Sequence, residues 1–288
     1  MFEKLLFATD FSEYATKTLD CIAGFPGARD VILLHVIEDT RSPRGGGEIG
    51  ESLSLNEKKL LKEEKSYLET LGHDLRVKTV VKVSSDIARG VLETAEEKDI
   101  SLIIVGARGN SLVEGILLGS VSTAILRRSR TSVLIMRHKI IEGLTGKTYE
   151  MSCPRILFRV LCPVDFSKFS NNAIALVSTI KGVGEVILLH VVSKGETEAE
   201  IEDSLKNANG QIEVIRSSLA TRGINARTIV STGSPAFEIT RIADEEEVSV
   251  IWMSSHGKGW FRDLLIGSTA HTVAMNAKRP VIIIRKPE

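Results

Sequence analysis

The six residues Val-Ile-Leu-Leu-His-Val stand at positions 31–36 and again at positions 186–191. The triplet Asp-Phe-Ser also occurs twice, at 10–12 and at 165–167, with the same offset of 155 residues. This repeat is much longer than the roughly 20–50 residues of a solenoid repeat, and it is close to the length of one ordinary domain. The sequence therefore predicts that the chain of 288 residues contains two copies of one domain.

Short apolar runs alternate with longer stretches of helical periodicity in both copies. This alternation predicts βαβ units, and hence an α/β fold of two tandem Rossmann-like, doubly wound domains, each a parallel sheet covered by helices on both faces. Ser12 and Asp86 are expected to cap two helices. In a Lys/Glu-rich segment of helical periodicity, the apolar stripe is expected to consist of Leu60, Leu61, Leu68 and Leu71. The predicted strands are 5–9, 31–37, 77–83, 102–105 and 133–136, then 156–164, 186–192, 226–230, 250–253 and 281–284.

The boundaries follow from these elements: we expect domain 1 at residues 1–139, a linker at 140–155 and domain 2 at 156–288. The chain has 37 basic and 37 acidic side chains, and this balance argues against nucleic acid as its main partner. No segment approaches the roughly 20 apolar residues of a membrane span, so no membrane association is expected. No targeting peptide is visible and the three cysteines lack metal-ligand spacing, which favours a reducing cytoplasm.

A glycine pattern follows the fourth predicted strand: Gly106 and Gly109 are followed, after nine residues, by Gly119-Ser120. In open parallel sheets, ligands bind at the carboxyl ends of the strands. Gly109 is expected to take a positive φ and to present backbone N–H groups to an anion. The helix that begins at Ser120 offers further free N–H groups and a hydroxyl to a phosphate. The same spacing also fits plain turns followed by a helix start.

Asp10 follows the first predicted strand, which lies beside the fourth in a doubly wound sheet. Its carboxylate could accept ribose hydroxyls or help to hold a metal ion on a triphosphate. The alternative is that it caps the helix beside Ser12. His35 and His190 end buried strands and are expected to be packed, hydrogen-bonded structural residues, since the histidines show no metal-ligand spacing.

These stretches together resemble the universal stress protein family. The residues that carry the resemblance are Leu5-Leu6-Phe7-Ala8-Thr9-Asp10, Leu33-Leu34-His35-Val36 and the glycine pattern. Because it covers both halves, the resemblance implies a tandem member whose domains each have five parallel strands in the order 3-2-1-4-5. It also implies that the two domains pair through their last strands as an intramolecular pseudo-dimer, which protects those edges.

The resemblance also implies nucleotide sites, with the nucleoside near the first two strands and the phosphates on the glycine loop. For domain 1 the implied site residues are Ala8, Thr9, Asp10, Val36, Val105, Gly106, Arg108, Gly109, Gly119, Ser120 and Val121. Arg108 is either a charge partner of the phosphates or a solvated loop residue. For domain 2 they are Pro163, Val164, Asp165, Val191, Met253, Ser254, Gly257, Gly267, Ser268 and Thr269. Ser254 replaces the first glycine, and its side chain is expected to weaken or alter that site.

Three functions remain open. The first is a cytoplasmic, nucleotide-dependent stress-response protein that binds ATP, ADP or AMP, with Mg²⁺ carried by the nucleotide, and acts on an unidentified regulatory partner. The second is a slow ATPase or phosphotransferase. The family pattern marks no catalytic base and no metal ligand of the protein's own, so weak hydrolysis is the most that we expect. The third is a nucleotide-free interaction or dimerisation module. Further association into a homodimer is left open.

Overall fold

The structure is a computed structural model that describes residues 2–39, 49–72, 74–107, 118–143, 146–151, 155–193, 197–258 and 265–285. The first half, domain 1, contains β1 (Lys4–Ala8), α1 (Glu13–Ala23), β2 (Asp30–Glu38), α2 (Ile49–Leu71), β3 (Arg76–Ser84), α3 (Ile87–Glu97), β4 (Leu102–Gly106), α4 (Ser120–Arg128) and β5 (Ser132–Met136). An antiparallel hairpin of β6 (His138–Gly143) and β7 (Gly146–Met151) follows. The second half, domain 2, contains β8 (Arg159–Pro163), α5 (Lys168–Val177), β9 (Glu185–Val192), α6 (Glu198–Ala220), β10 (Asn225–Thr232), α7 (Pro235–Glu245), β11 (Val250–Ser254), α8 (Ser268–Asn276) and β12 (Val281–Ile284).

One ten-stranded sheet runs through both domains in the order β10-β9-β8-β11-β12-β5-β4-β1-β2-β3. Each half has the predicted order 3-2-1-4-5, and all its strand pairs are parallel. The halves join where β12 pairs antiparallel with β5, with Ile282 opposite Leu134. The predicted α/β fold and the pairing through the last strands are confirmed. This seam, the β5–β12 pair, removes two edges that would otherwise be open to association.

The strands in the middle of the sheet are mostly apolar because both faces of the sheet are covered there, whereas the edge strands β3 and β10 carry polar and charged residues. Leu5, Leu6 and Phe7 are consecutive, point to alternate faces, and are all fully buried. One core lies between the sheet and helices α1, α2, α5 and α6, where Leu61 belongs to it. A second core lies between the other face and helices α3, α4, α7 and α8, where Ile125 belongs to it.

The helix starts follow the predicted caps. The Ser12 hydroxyl accepts a hydrogen bond from the Ala15 N–H at 3.1 Å, and the Asp86 carboxylate accepts one from the Arg89 N–H at 3.3 Å. Both capping predictions are confirmed. Of the helices within the described ranges, none combines the length and the apolar content needed to cross a bilayer.

The prediction for the apolar face of α2 was incomplete. In α2, Leu61 and Leu68 are fully buried as expected, but Leu71 is 43% exposed. Glu64 lies at the buried position between them, because positions 61, 64 and 68 fall on one face of a helix. In the stretch 140–155, which we expect to be a linker, much of the chain belongs to the β6–β7 hairpin.

Candidate functional site

A cleft of about 660 Å³ opens at the carboxyl ends of β8, β9 and β11 in domain 2. This volume falls within the range of about 300–1,000 Å³ found for small-molecule sites. Ser204 from α6 and Pro235 and Ile239 from α7 complete its wall, and the sequence offered no signal for these three. The cleft brings together every residue that we predicted for the domain 2 site: Pro163, Val164, Asp165, Val191, Met253, Ser254, Gly257, Gly267, Ser268 and Thr269.

Helix α8 begins at the edge of this cleft. Its N-cap is Gly267, whose own N–H donates to the Ser255 carbonyl at 2.7 Å and so fixes the start of the helix against the loop. Glycine has no side chain with which to cap the N–H groups of the first turn, and within the described residues no side-chain cap is found for α8. N–H groups at such a helix start suit an anionic ligand. Domain 1 repeats the arrangement, since Gly119 is the N-cap of α4 and donates to the Ala107 carbonyl at 2.7 Å.

Asp165 holds the glycine loop in place. Its Oδ2 accepts from the Lys258 N–H at 2.8 Å, and its Oδ1 accepts from the Ser167 N–H at 3.0 Å. Burial opposes ionisation of this carboxyl, but hydrogen bonds from Ser167 and Ser170 and from these backbone N–H groups outweigh it, and the pKa is lowered. Asp165 is therefore an ionised anchor for the loop as well as a wall of the cleft.

Gly257 lets the backbone of the glycine loop approach the Asp165 carboxylate closely. A Cβ at this position would lie 2.4 Å from Asp165 Oδ2, well inside the contact distance of real atoms. Its φ is not in the left-handed region. We expected a positive φ at the matching Gly109, which lies outside the described residues. In domain 2 the reason for glycine is space for the carboxylate.

Ser254, at the first glycine position, uses its hydroxyl inside the loop. Its Oγ donates to the His256 carbonyl at 2.6 Å, while the residue still lines the cleft. The serine therefore stiffens the turn after β11. Its effect on ligand affinity stays a prediction.

Lys258 is a cation that the sequence reasoning missed. Its ammonium lies 5.7 Å from the centroid of the Phe166 ring, a cation–π distance, and the residue lines the cleft. The only sequence signal for it is its position directly after Gly257. Arg108, the cation that we considered in domain 1, lies outside the described residues.

The histidines pack as expected. Nδ1 of His35 lies 2.9 Å from the Thr9 carbonyl, and Nδ1 of His190 lies 2.6 Å from the Val164 carbonyl. A carbonyl only accepts, so Nδ1 carries the proton in both rings. Burial, aided by Lys258, holds the pKa of His190 below its ordinary value, which favours the neutral ring. His190 also forms part of the cleft wall.

A phenylalanine stacks on each of these rings. Phe11 and Phe166 both have φ 60°, an uncommon conformation for a bulky residue, which costs roughly 1–2 kcal/mol. Their rings lie 4.5 Å from His35 and 4.4 Å from His190. The Asp-Phe-Ser repeat therefore forms a strained turn with a stacked phenylalanine in both domains.

The described residues of the predicted domain 1 site collect at the same edge of the sheet. β1 pairs with β2 and β4 so that Ala8 lies beside Leu34 and Val105. Asp10 Oδ1 accepts from the Ser12 N–H at 3.1 Å and from its hydroxyl at 2.6 Å. Ser12 is the N-cap of α1, so the alternative that Asp10 caps this helix is wrong. The other described members are Thr9, Val36, Gly106, Gly119, Ser120 and Val121, while Arg108 and Gly109 lie outside the described residues.

Glu64 is a second group that the sequence reasoning missed. Its Oε1 accepts from the Thr9 hydroxyl at 2.7 Å, and its Oε2 is buried with no hydrogen-bond partner. Burial, with the nearby Asp10 charge, raises the pKa of Glu64 to about 7 against the opposing effect of the Thr9 hydrogen bond. In domain 2, Val164 stands at the position of Thr9. The polar pair is therefore particular to domain 1.

Within the described ranges, no group of three or more His, Cys, Asp or Glu side chains is placed to hold a metal ion.

Comparison with known proteins gives consistent matches. The sequence profile of the universal stress protein family matches residues 1–137 and 157–285. A universal stress protein of Methanocaldococcus jannaschii is 31% identical over 153 residues, which cover 44% of this chain and 94% of that protein. One of Mycolicibacterium smegmatis is 27% identical over 226 residues, covering 74% of this chain and 70% of that protein. The crystal structure of a universal stress protein from Archaeoglobus fulgidus has a TM-score of 0.73 at 25% identity and covers 99% of this chain and 97% of its own.

Proposed function

Because the chain belongs to the universal stress protein family, with one matching segment in each half, we propose that it binds an adenine nucleotide, in the first place ATP, in each domain. The observation that carries the proposal is the cleft of domain 2, whose wall contains all ten predicted residues and the start of α8. The phosphates would lie against the first turn of α8, where backbone N–H groups and the helix dipole favour negative charge. The nucleoside would lie against the apolar wall of Val191, Pro235 and Ile239.

We propose binding rather than turnover as the main activity. Asp165 is the acid on the cleft wall, and it already accepts two backbone N–H bonds with a lowered pKa, so it is a poor general base. The proposed role is regulatory: occupancy of the sites would change how the protein interacts with a partner during a cytoplasmic stress response.

The first test is nucleotide stoichiometry. We expect native mass spectrometry of gently purified protein, supplied with ATP, to show two equivalents. At a ligand concentration of 100 times Kd, each site should add about 2.7 kcal/mol to the free energy of unfolding, seen as a higher Tm. If ATP, ADP and AMP give neither bound mass nor a Tm shift, nucleotide binding is wrong.

The second test separates nucleotide binding from a role of the glycines as plain turns. In Gly119→Ala the new Cβ would lie 3.6 Å from the Ala107 carbonyl, an ordinary contact, and the φ of −69° suits alanine. We therefore expect the variant to fold, but to lose about tenfold in ATP affinity at domain 1, since the methyl group would separate one phosphate from its N–H donors. Calorimetric titration measures this loss. Unchanged affinity would favour the interaction module.

A further inference from the structure

One buried arginine from each domain reaches into the other domain. Arg137 directly follows β5 and Arg285 directly follows β12, and they are 5% and 7% exposed. Arg137 Nη2 donates to the Ala274 carbonyl at 2.5 Å, and Arg285 Nη2 donates to the Leu126 carbonyl at 2.5 Å. Each side chain therefore starts in one domain and ends on a backbone carbonyl of the other.

The two acceptor carbonyls have equivalent places in the fold. Leu126 lies in the last turn of α4, and Ala274 lies in the last turn of α8. Carbonyls in a last turn have no partner within the helix, and a cation there complements the helix dipole. These are the same two helices whose first turns form the proposed phosphate sites.

Side chains of α4 and α8 also meet directly. The Thr123 hydroxyl lies 3.8 Å from Met275 Sδ, and Arg127 Nε lies 3.3 Å from His271 Nε2. Both contacts join domain 1 to domain 2, next to the seam. The two helices are thus connected to each other at their sides and anchored across the seam at their carboxyl ends.

The burial of Arg285 lowers the stability of the fold. Its Nε and Nη1 are buried with no hydrogen-bond partner, and burial lowers the pKa of the guanidinium to about 10. A buried cation that lacks full hydrogen bonding destabilises a fold relative to an apolar side chain of similar size. Stability alone therefore does not explain an arginine at this position, whereas the fixed placement of α4 does.

We propose that Arg285 is a positioning residue for the nucleotide site of domain 1, and that Arg137 is the positioning residue for the site of domain 2. Each acts through the helix of the opposite domain, Arg285 on α4 and Arg137 on α8. The link to nucleotide rests on the proposed function; the link to the helices rests on the contacts alone.

The test uses the full chain with Arg285→Met and Arg137→Met, and with Arg130→Met as a control at an exposed arginine. Two equivalent amides report on the helices without nucleotide: Thr123 N–H donates to the Gly119 carbonyl, and His271 N–H donates to the Gly267 carbonyl, both at 2.9 Å. In Arg285→Met we expect hydrogen exchange at Thr123 to be about tenfold faster, with His271 little changed. Arg137→Met should give the reverse pattern, and Arg130→Met should change neither amide.

ATP affinity is then measured at single sites, with Gly257→Ala used to disable domain 2. In that background Arg285→Met should weaken binding to domain 1 by about tenfold, and Arg285→Lys, which keeps the charge and a donor, should restore most of it. If Arg285→Met does not fold, Arg285→Lys carries the exchange test, with a smaller change of the same pattern expected.

The outcomes separate the two proposals. A crossed exchange pattern supports positioning, even if the native chain binds no nucleotide and the proposed function fails. Equal exchange changes in both helices, changes confined to the variant's own domain, or no change at all would overturn it, even if the native chain binds ATP. A crossed pattern with unaltered ATP affinity in domain 1 would overturn the link to the site.

Discussion

The Gly257→Ala variant is expected to lose about tenfold to hundredfold in the ATP affinity of domain 2. A methyl group 2.4 Å from Asp165 Oδ2 cannot coexist with the 2.8 Å hydrogen bond between that oxygen and the Lys258 N–H. Either the carboxylate or the loop must move. Hydrogen bonds to charged groups contribute about 1.5–3 kcal/mol, and the loop that they hold is the one proposed to meet the phosphates.

Calorimetric titration with ATP measures this effect as the loss of one of two equivalents at a fixed protein concentration. Gly210→Ala is the matched control, because it adds the same methyl group at an exposed position of α6 where nothing lies within 4 Å. Two full-affinity equivalents in Gly257→Ala would show that the anchored loop does not contribute to binding.

The Glu64→Gln variant is expected to change the pH dependence of stability. The pKa of Glu64 rises from 4.5 in the unfolded chain to about 7 in the folded one, so the folded state holds the proton more tightly. This contribution to stability is fully present below pH 4.5 and is lost as the pH rises towards 7. Glutamine cannot ionise. Between pH 5 and pH 8, the difference in unfolding free energy should therefore move in favour of the variant by roughly 2.5 kcal/mol.

Urea unfolding followed by circular dichroism at several pH values provides the measurement. Glu63→Gln is the control, since the Glu63 side chain is 61% exposed and its removal should leave the pH profile of the native chain unchanged. Parallel pH profiles for the native chain and Glu64→Gln would contradict a buried, proton-binding carboxyl at this site.

The sheet could be predicted from the sequence because its signal is local. Strands buried on both faces require continuous apolar runs, and the run at β12 was predicted with its observed ends, Val281–Ile284. The strand predictions were wrong at residues that are buried but do not pair with a neighbouring strand. The predicted strand 156–164 starts too early, because Ile156 and Leu157 are buried but precede β8. Apolar residues in a turn that packs on the core have the same sequence pattern as the start of a strand.

The residues of the candidate site were predictable only as far as they lie at strand ends and glycine turns. Ser204 and Pro235 reach the cleft from α6 and α7, and no local pattern marks a helix residue that faces a distant loop. Glu64 is a similar case, because its burial depends on Thr9, which lies 55 residues earlier in the chain. Such contacts follow from tertiary packing, and an amphipathic pattern alone places a glutamate on the solvent side.

The antiparallel pair of β5 and β12 gives the chain a fixed internal stoichiometry. Two separate domains that met along this edge would have to find each other at cellular concentration, and both would have to carry the same side chains. Covalent linkage removes both conditions, and each half is then free to change independently. The Thr9–Glu64 pair in one half and Val164 in the other are differences of this kind. The chain therefore carries one buried, proton-binding Glu64 for each Val164, a ratio that is fixed within a single polypeptide.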